Sequence, residues 1–186
     1  LDRAGLHAGT LHPQLFGFAW NWNAAWGRCE EVQVAPEVLG TDAFLLSPLR
    51  RVMTHGETLR IRPDDPAVAA RFPLMAELAA EGFTDYKAFP LTAGEAYHNV
   101  MSAATRQPGG FTAEQMAHCQ RLLRVFALNV ELQSARQIAR NVMEAYLGPA
   151  AGERVLAGNI RRGEGDAIGS VIWLSDLRGY TRLSET

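Results

Sequence analysis

The sequence predicts an α+β fold, an antiparallel sheet flanked by helices and followed by one long helix. Three observations carry that prediction. Phe16-Gly17-Phe18-Ala19-Trp20-Asn21-Trp22-Asn23 alternates strictly between aromatic and small or polar residues, which is the period of two of a half-buried strand. Two strand-like stretches, 86–91 and 96–105, flank the turn signal Thr92-Ala93-Gly94-Glu95 and read as a hairpin. From Thr112 to Leu147 the chain contains neither Pro nor Gly.

The elements follow in order. After the turn-like Gly27-Arg28, the stretch 31–35 reads as a strand that pairs with 16–23 in a first hairpin. Ser47 to Glu81 is more irregular. Within it, Leu59-Arg60-Ile61-Arg62 reads as extended and stops at Pro63. Ala67 to Ala80 has helical spacing, with Phe72, Met75, Leu78 and Ala79 on one side and Gly82 as its stop. That segment is either one short helix or two pieces broken at Pro73. After the second hairpin, Gln107-Pro108-Gly109-Gly110 marks a loop.

The long helix has its own start signal. Thr112 caps it, with Gln115 three residues on completing a capping-box pattern and Glu114 favouring the N-terminal dipole. At 1.5 Å per residue it is about 50 Å long, too long for one small domain to cover. It carries two apolar stripes. Met116, Cys119, Leu123, Phe126 and Val130 keep a 3-4 spacing that fails at Gln133. Val125, Leu128, Leu132, Ala135, Ala139, Val142 and Tyr146 keep it to the helix end. Heptad spacing forms a seam for another helix. The first stripe is expected to pack on the sheet and the second, 125–146, on a partner chain in a homodimer. The alternative is one helix buried in its own domain.

Composition narrows the function classes. The 186 residues, 47% hydrophobic and 9% aromatic, suffice for one domain with a core plus an appended element. A net charge of −2 gives no electrostatic reason to expect nucleic acid as a partner. Cys29 and Cys119 match no metal or redox spacing and read as mostly buried thiols. No two of His7, His12, His55, His98 and His118 stand at the i, i+4 spacing of a helical metal site. No apolar run approaches the ~20 residues that span a bilayer, so a cytoplasmic location is expected, with an upstream membrane anchor left open. The start at Leu1 and the end at Thr186, inside a patterned segment, suggest a piece of a longer protein.

Two resemblances enter here. A hairpin ending in Ser102-Ala103-Ala104-Thr105, then Gly109-Gly110-Phe111-Thr112 and an amphipathic helix, resembles the end of a GAF domain, over roughly residues 5 to 135. The segment Val171-Ile172-Trp173-Leu174-Ser175-Asp176-Leu177-Arg178-Gly179-Tyr180-Thr181-Arg182-Leu183-Ser184-Glu185 resembles the first strand and turn of class III nucleotide cyclases. Tyr180 stands where the family usually has Phe. The lead-in Tyr146-Leu147-Gly148, Arg154-Val155-Leu156-Ala157-Gly158 and Ile160-Arg161-Arg162-Gly163 resembles that of bacterial cyclases with GAF-like N-termini.

The cyclase motif also makes physical sense. Apolar residues deliver a carboxylate, Asp176, to a strand end, and a glycine three residues on lets the backbone turn towards phosphates. The resemblance implies that Asp176 and the Leu177 carbonyl bind Mg²⁺ or Mn²⁺ in the full-length enzyme. It places Gly179, Tyr180 and Thr181 beside the triphosphate of ATP or GTP. The second metal carboxylate and the purine-selecting residues lie downstream in the family, so this chain alone is expected to make no cyclic nucleotide.

The resulting expectation is a GAF-like sensor domain over 1–111, a signalling and dimerisation helix over 112–147, a linker over 148–170, and the start of a cyclase catalytic domain over 171–186. The function expected is regulation of an adenylate cyclase in signal transduction. The alternatives are a guanylate cyclase, or a dimerisation module that binds no ligand. For a small-molecule sensor ligand, whose identity the sequence leaves open, the candidate pocket residues are Trp20, Trp22, Tyr86 and His98; the aromatic face to which the tryptophans belong reads equally as core. In Gly82-Phe83-Thr84-Asp85-Tyr86, Thr84 or Asp85 is expected to satisfy backbone amides.

Overall fold

The structure, a computed structural model, describes residues 1–12, 14–92, 99–161, 163, 169 and 171–175. Its strands are β1 (Arg3–His12), β2 (Leu15–Asn23), β3 (Arg28–Val34), β4 (Leu59–Ile61), β5 (Asp85–Thr92) and β6 (Asn99–Thr105). They form one sheet in the order β3-β2-β1-β6-β5-β4, every neighbouring pair antiparallel. A 3-10 turn (Pro36–Gly40), α1 (Asp42–Leu45) and α2 (Pro48–His55) join β3 to β4, and α3 (Pro66–Arg71) and α4 (Pro73–Ala80) join β4 to β5. Helices α5 (Ala113–Leu147) and α6 (Pro149–Leu156) follow. The expected α+β class, the antiparallel sheet and the long helix are all present.

Several local expectations are settled by chain chemistry. Pro73 breaks the 67–80 segment into two helices because a proline cannot donate the bond that would continue α3; each helix instead begins with Pro in its first turn. Thr112 and Gln115 form the reciprocal capping box that starts α5. Three regions differ from the sequence reading. A strand over 3–12 was not expected, yet β1 pairs with both β2 and β6 at the centre of the sheet. The stretch 36–55 holds short helices, capped by Thr41 and by Ser47-Pro48. Part of the expected linker, 149–156, is helix α6, which turns back at Gly148 so that Gly152 approaches the Met143 backbone; a Cβ on it would sit 3.1 Å from the Met143 carbonyl carbon.

The register assigns side chains to the two faces of the sheet. Tyr86 lies opposite Ala104, which lies opposite Arg3, so these three share a face with Gly5 and His7. On this inner face Tyr86, Ala88, Val100 and Ala104 pack with Val52 and Met53 of α2, Phe72, and Met75 and Leu78 of α4, forming the main core. Trp20 lies opposite Leu6 and Trp22 opposite Ala4, so both tryptophans occupy the outer face. That face is crossed by α5. Phe89, Ala103, Phe111 and Met116 are buried there, with Cys119 and Leu123 packed against them. The first apolar stripe of α5 therefore packs on the sheet as its spacing predicts.

At one corner the helix is tied to the sheet by a polar lock. The carboxylate of Asp85, fully buried, accepts from Arg60 Nε and Nη2 and from the Phe111 backbone N–H at 2.9 Å. Arg60 also donates to the Phe111 carbonyl at 2.9 Å. Gly110 has φ of +78° and lies so close that a Cβ would stand 2.5 Å from Asp85 Oδ2, so glycine is needed there for conformation and for space. Asp85 thus meets a backbone amide as expected, whereas the Thr84 hydroxyl donates to the Thr105 and Gln107 carbonyls.

Candidate functional site

The inner face of β1 and β2 is built from small and polar residues: Gly5 and His7 on β1, and Gly17, Ala19 and Asn21 on β2. Small side chains leave space between the sheet and α1–α2. A cavity of about 250 Å³ fills it, walled by Phe16, Ala19, Val34, Phe44, Leu49 and Met53, with His7 at its floor. Phe16 meets Phe44 edge-on at 6.2 Å, a favoured aromatic geometry. A smaller cavity of about 70 Å³ adjoins it, lined by Arg3, Gly5, His7, Asn21, Tyr86 and Ser102 among others. His7 and Leu49 line both. An apolar recess thus lies beside a smaller polar one.

Gly5 lines the polar recess. The point where its Cβ would stand is 2.8 Å from Ser102 Oγ, 3.2 Å from His7 Nε2 and 3.3 Å from Asn21 Oδ1. Three polar atoms therefore crowd against the Gly5 backbone, where any side chain would press on the Ser102 hydroxyl. Tyr86, 4% exposed, has a buried hydroxyl without a hydrogen-bond partner. Its phenol pKa is raised by burial, opposed by the neighbouring Ser102 hydroxyl and by Arg3. The His7 pKa is held down at about 4, chiefly by burial and then by the Arg3 guanidinium, so its ring is neutral near pH 7. Arg3 is the one formally charged residue lining either cavity, among the described residues.

The outer face has a different character. Phe18 and Trp20 stack at 5.8 Å, and Trp20 Nε1–H donates to the Glu31 carboxylate at 2.8 Å. With Phe126, Asn129, Gln133 and Gln137 of α5 they border an open cleft of about 470 Å³. On the other side of α5, Met101, Phe111, Met116, Cys119, Leu122 and Phe126 border a wider apolar groove of about 700 Å³. Further along, Asn141 is buried and donates to Thr10 Oγ1 and to the Leu11 carbonyl, so α5 keeps contact with β1 well past Val130.

The expected pocket residues are thus divided. Trp20 borders the outer cleft and Tyr86 the inner cavity, on opposite faces of the sheet, so they do not form one pocket. Trp20 and Trp22 are half-buried, and neither joins the core. His98 lies outside the described residues, as do Asp176, Leu177, Gly179, Tyr180 and Thr181. Val171–Leu174, which resemble the first strand of a cyclase domain, have no regular structure here and are 80–94% exposed. Cys29, expected to be buried, is exposed on the edge strand β3, while Cys119 is half-buried with its thiol pKa raised by burial. Gly5, His7, Asn21 and Ser102 were not singled out as pocket residues. The available signal was Gly5-Leu6-His7-Ala8-Gly9, where two glycines flank a histidine on one face of a strand.

Among the described residues no group of three or more His, Cys, Asp or Glu side chains could hold a metal ion, and no helix is long and apolar enough to cross a membrane. No protein-family model matches the chain, and no curated protein matches it. Among solved structures it is similar to the GAF domain of a two-component sensor histidine kinase from Bacillus halodurans, at 12% identity over 73% of this chain and 84% of that one, with a TM-score of 0.45. Likeness at that level leaves the functional reading to the residues of this chain.

Proposed function

We propose that this chain is a GAF-like sensor and dimerisation region that controls a class III adenylate cyclase, with the inner cavity as its sensing site. One observation carries the sensing part of the reading: an apolar recess in the fold adjoins a polar one with a buried, unpartnered hydroxyl on Tyr86. An unpaired buried hydroxyl costs stability unless a partner satisfies it, and a ligand is such a partner. The chamber is walled by α1 and α2, short elements that can adjust when it fills.

The route outward is the sheet and α5. Strand β1 supplies His7 to the cavity and its other face to α5, so one strand touches both ligand site and helix. Over most of its length the second stripe of α5 has no cover among the described residues: Leu128 is 68% exposed, Leu132 49% and Tyr146 86%. Its uninterrupted heptad spacing favours a second helix, and the shared active sites of class III cyclases favour a second copy in parallel, with Ala135 and Ala139 giving close approach but little burial. A seam weak in its middle suits a signalling element, because a modest bias can change its crossing or register.

The cyclase assignment rests on the motif at 171–185, where Asp176 and the Leu177 carbonyl would hold Mg²⁺ or Mn²⁺ and Gly179, Tyr180 and Thr181 would flank the nucleotide triphosphate. In the full-length protein, Asp176→Ala is expected to reduce cyclic nucleotide synthesis by orders of magnitude with folding intact. The 186-residue chain alone is expected to show no turnover of ATP or GTP above a boiled control. Near-normal activity of the Asp176 variant would contradict the cyclase assignment.

A further inference from the structure

The inner cavity has a chemical polarity that narrows what it can hold. Its walls at the α1–α2 end are aromatic and aliphatic: Phe16, Val34, Phe44, Leu49 and Met53. At about 250 Å³ it lies just below the ~300–1,000 Å³ of pockets that take drug-sized ligands, so it suits one or two fused rings. The opposite end presents hydroxyl, amide and imidazole groups from Tyr86, Ser102, Asn21 and His7. No carboxylate lines either cavity among the described residues, and Arg3 supplies a positive charge.

We infer that the cavity binds a small aromatic carboxylic acid, its ring between Phe44 and Met53 and its carboxylate in the adjoining polar cavity that Arg3, Tyr86 and Ser102 line. The inference rests on the reading of this cavity as the sensing site. A carboxylate only accepts hydrogen bonds, and the Tyr86 hydroxyl is a donor without an acceptor. Hydrogen bonds to an ionised acceptor are also about twice as strong as neutral ones. A cationic ligand would instead meet the Arg3 charge with no anion to offset it. A wholly apolar ligand would leave the Tyr86 hydroxyl unpaired.

Three probes of one shape separate these cases: 1-naphthoate, 1-naphthamide and 1-naphthylmethylamine. Each is titrated into the 186-residue chain carrying ¹³C-methyl methionine, with the Met53 methyl signal reporting occupancy of the chamber. Naphthoate should shift that signal saturably and bind at least tenfold more tightly than the amide or the amine. Tyr86→Phe keeps the ring volume and should weaken naphthoate about tenfold. Arg3→Gln should weaken it similarly and erase the preference for acid over amide. Gly5→Ala places a methyl where the polar atoms converge, and should abolish naphthoate binding while the melting temperature confirms an intact fold.

Equal or tighter binding of the amide or amine overturns the acid assignment but leaves the cavity as a binding site. Naphthoate affinity unchanged in Tyr86→Phe and Arg3→Gln overturns the placement of the carboxylate. If no probe shifts Met53, the proposed ligand class is wrong; the sensing role is then judged separately, by the mass of any molecule that the chain retains on purification.

Discussion

The two faces of the central sheet are built to opposite rules. The inner face is covered by several short helices, and it combines the main core with a cavity where the strands carry Gly5, His7, Ala19 and Asn21. The outer face carries Phe18, Trp20 and Trp22 and is crossed by a single helix, which leaves open grooves on both of its flanks. On β1 and β2 the large side chains therefore sit on the face that α5 crosses, and the small ones on the face recessed under α1 and α2. Rings can cover a sheet that one helix only partly shields, whereas a recess under short helices needs residues that leave room. The inner face is suited to hold something small, and the outer face to meet something large.

Stability experiments can break this contrast. Leu78, 1% exposed in the inner core, should cost about 3 kcal/mol when changed to Ala, measured by urea unfolding. Asp85→Asn should cost about 2 kcal/mol, since it weakens the bonds from Arg60 and the Phe111 amide that tie β4, β5 and the start of α5. The exposure of Arg60, at 41%, keeps the figure at the lower end for such pairs. If Asp85→Asn were neutral, the start of α5 would be held by its apolar stripe and not by this polar lock.

An effect of comparable size should appear with pH. His7 has a folded-state pKa of about 4 against an ordinary 6.5, so between those values the unfolded chain binds more protons than the folded one. Stability should therefore fall as pH drops from about 6.5 to 4, by about 2 kcal/mol, and His7→Gln should flatten that slope. Asp2 acts in the same direction at lower pH. Its carboxylate accepts from the Arg106 amide and the Thr105 hydroxyl, and these hold its pKa below the usual value. Unchanged slopes in His7→Gln would place the imidazole in water.

The outer-face prediction has the smallest effect on stability. Leu132→Glu with Val142→Glu should leave the monomer folded, with little change in unfolding free energy at concentrations where the wild type is also monomeric, yet convert a dimer to monomer in sedimentation at tens of micromolar. A wild type already monomeric there, or a double variant that remains dimeric, would remove the seam from the account.

What could be read from the sequence follows from the same contrast. Strand β2 was legible because its outer face is aromatic, and α5 because its capping box and unbroken run are strong local signals. Strand β1 was not, although it lies at the centre of the sheet. Its inner positions are Gly5, His7 and Gly9, so the apolar alternation that marks a strand is missing where the cavity needs space. The short helices at 42–45 and 48–55 span too few residues to show a 3.6-residue period, though Ser47-Pro48 and Gly56 mark one start and stop. Helix α6 was hidden by Gly148-Pro149, which ends one helix and, through a proline at the first position, begins another. Tyr86 was named among the pocket residues, but joining it to Trp20 required knowing which residues lie opposite each other across three strands.

The most direct test of the central claim is native mass spectrometry of the purified chain beside Ala19→Phe. Ala19 is buried at the cavity wall opposite His7, so the added ring fills the chamber. The account predicts that the wild type retains a small molecule, seen as a discrete added mass, and that the folded variant has lost it. An identical added mass on both proteins, or none on the wild type from freshly lysed cells, would contradict the claim that this cavity is where the protein senses.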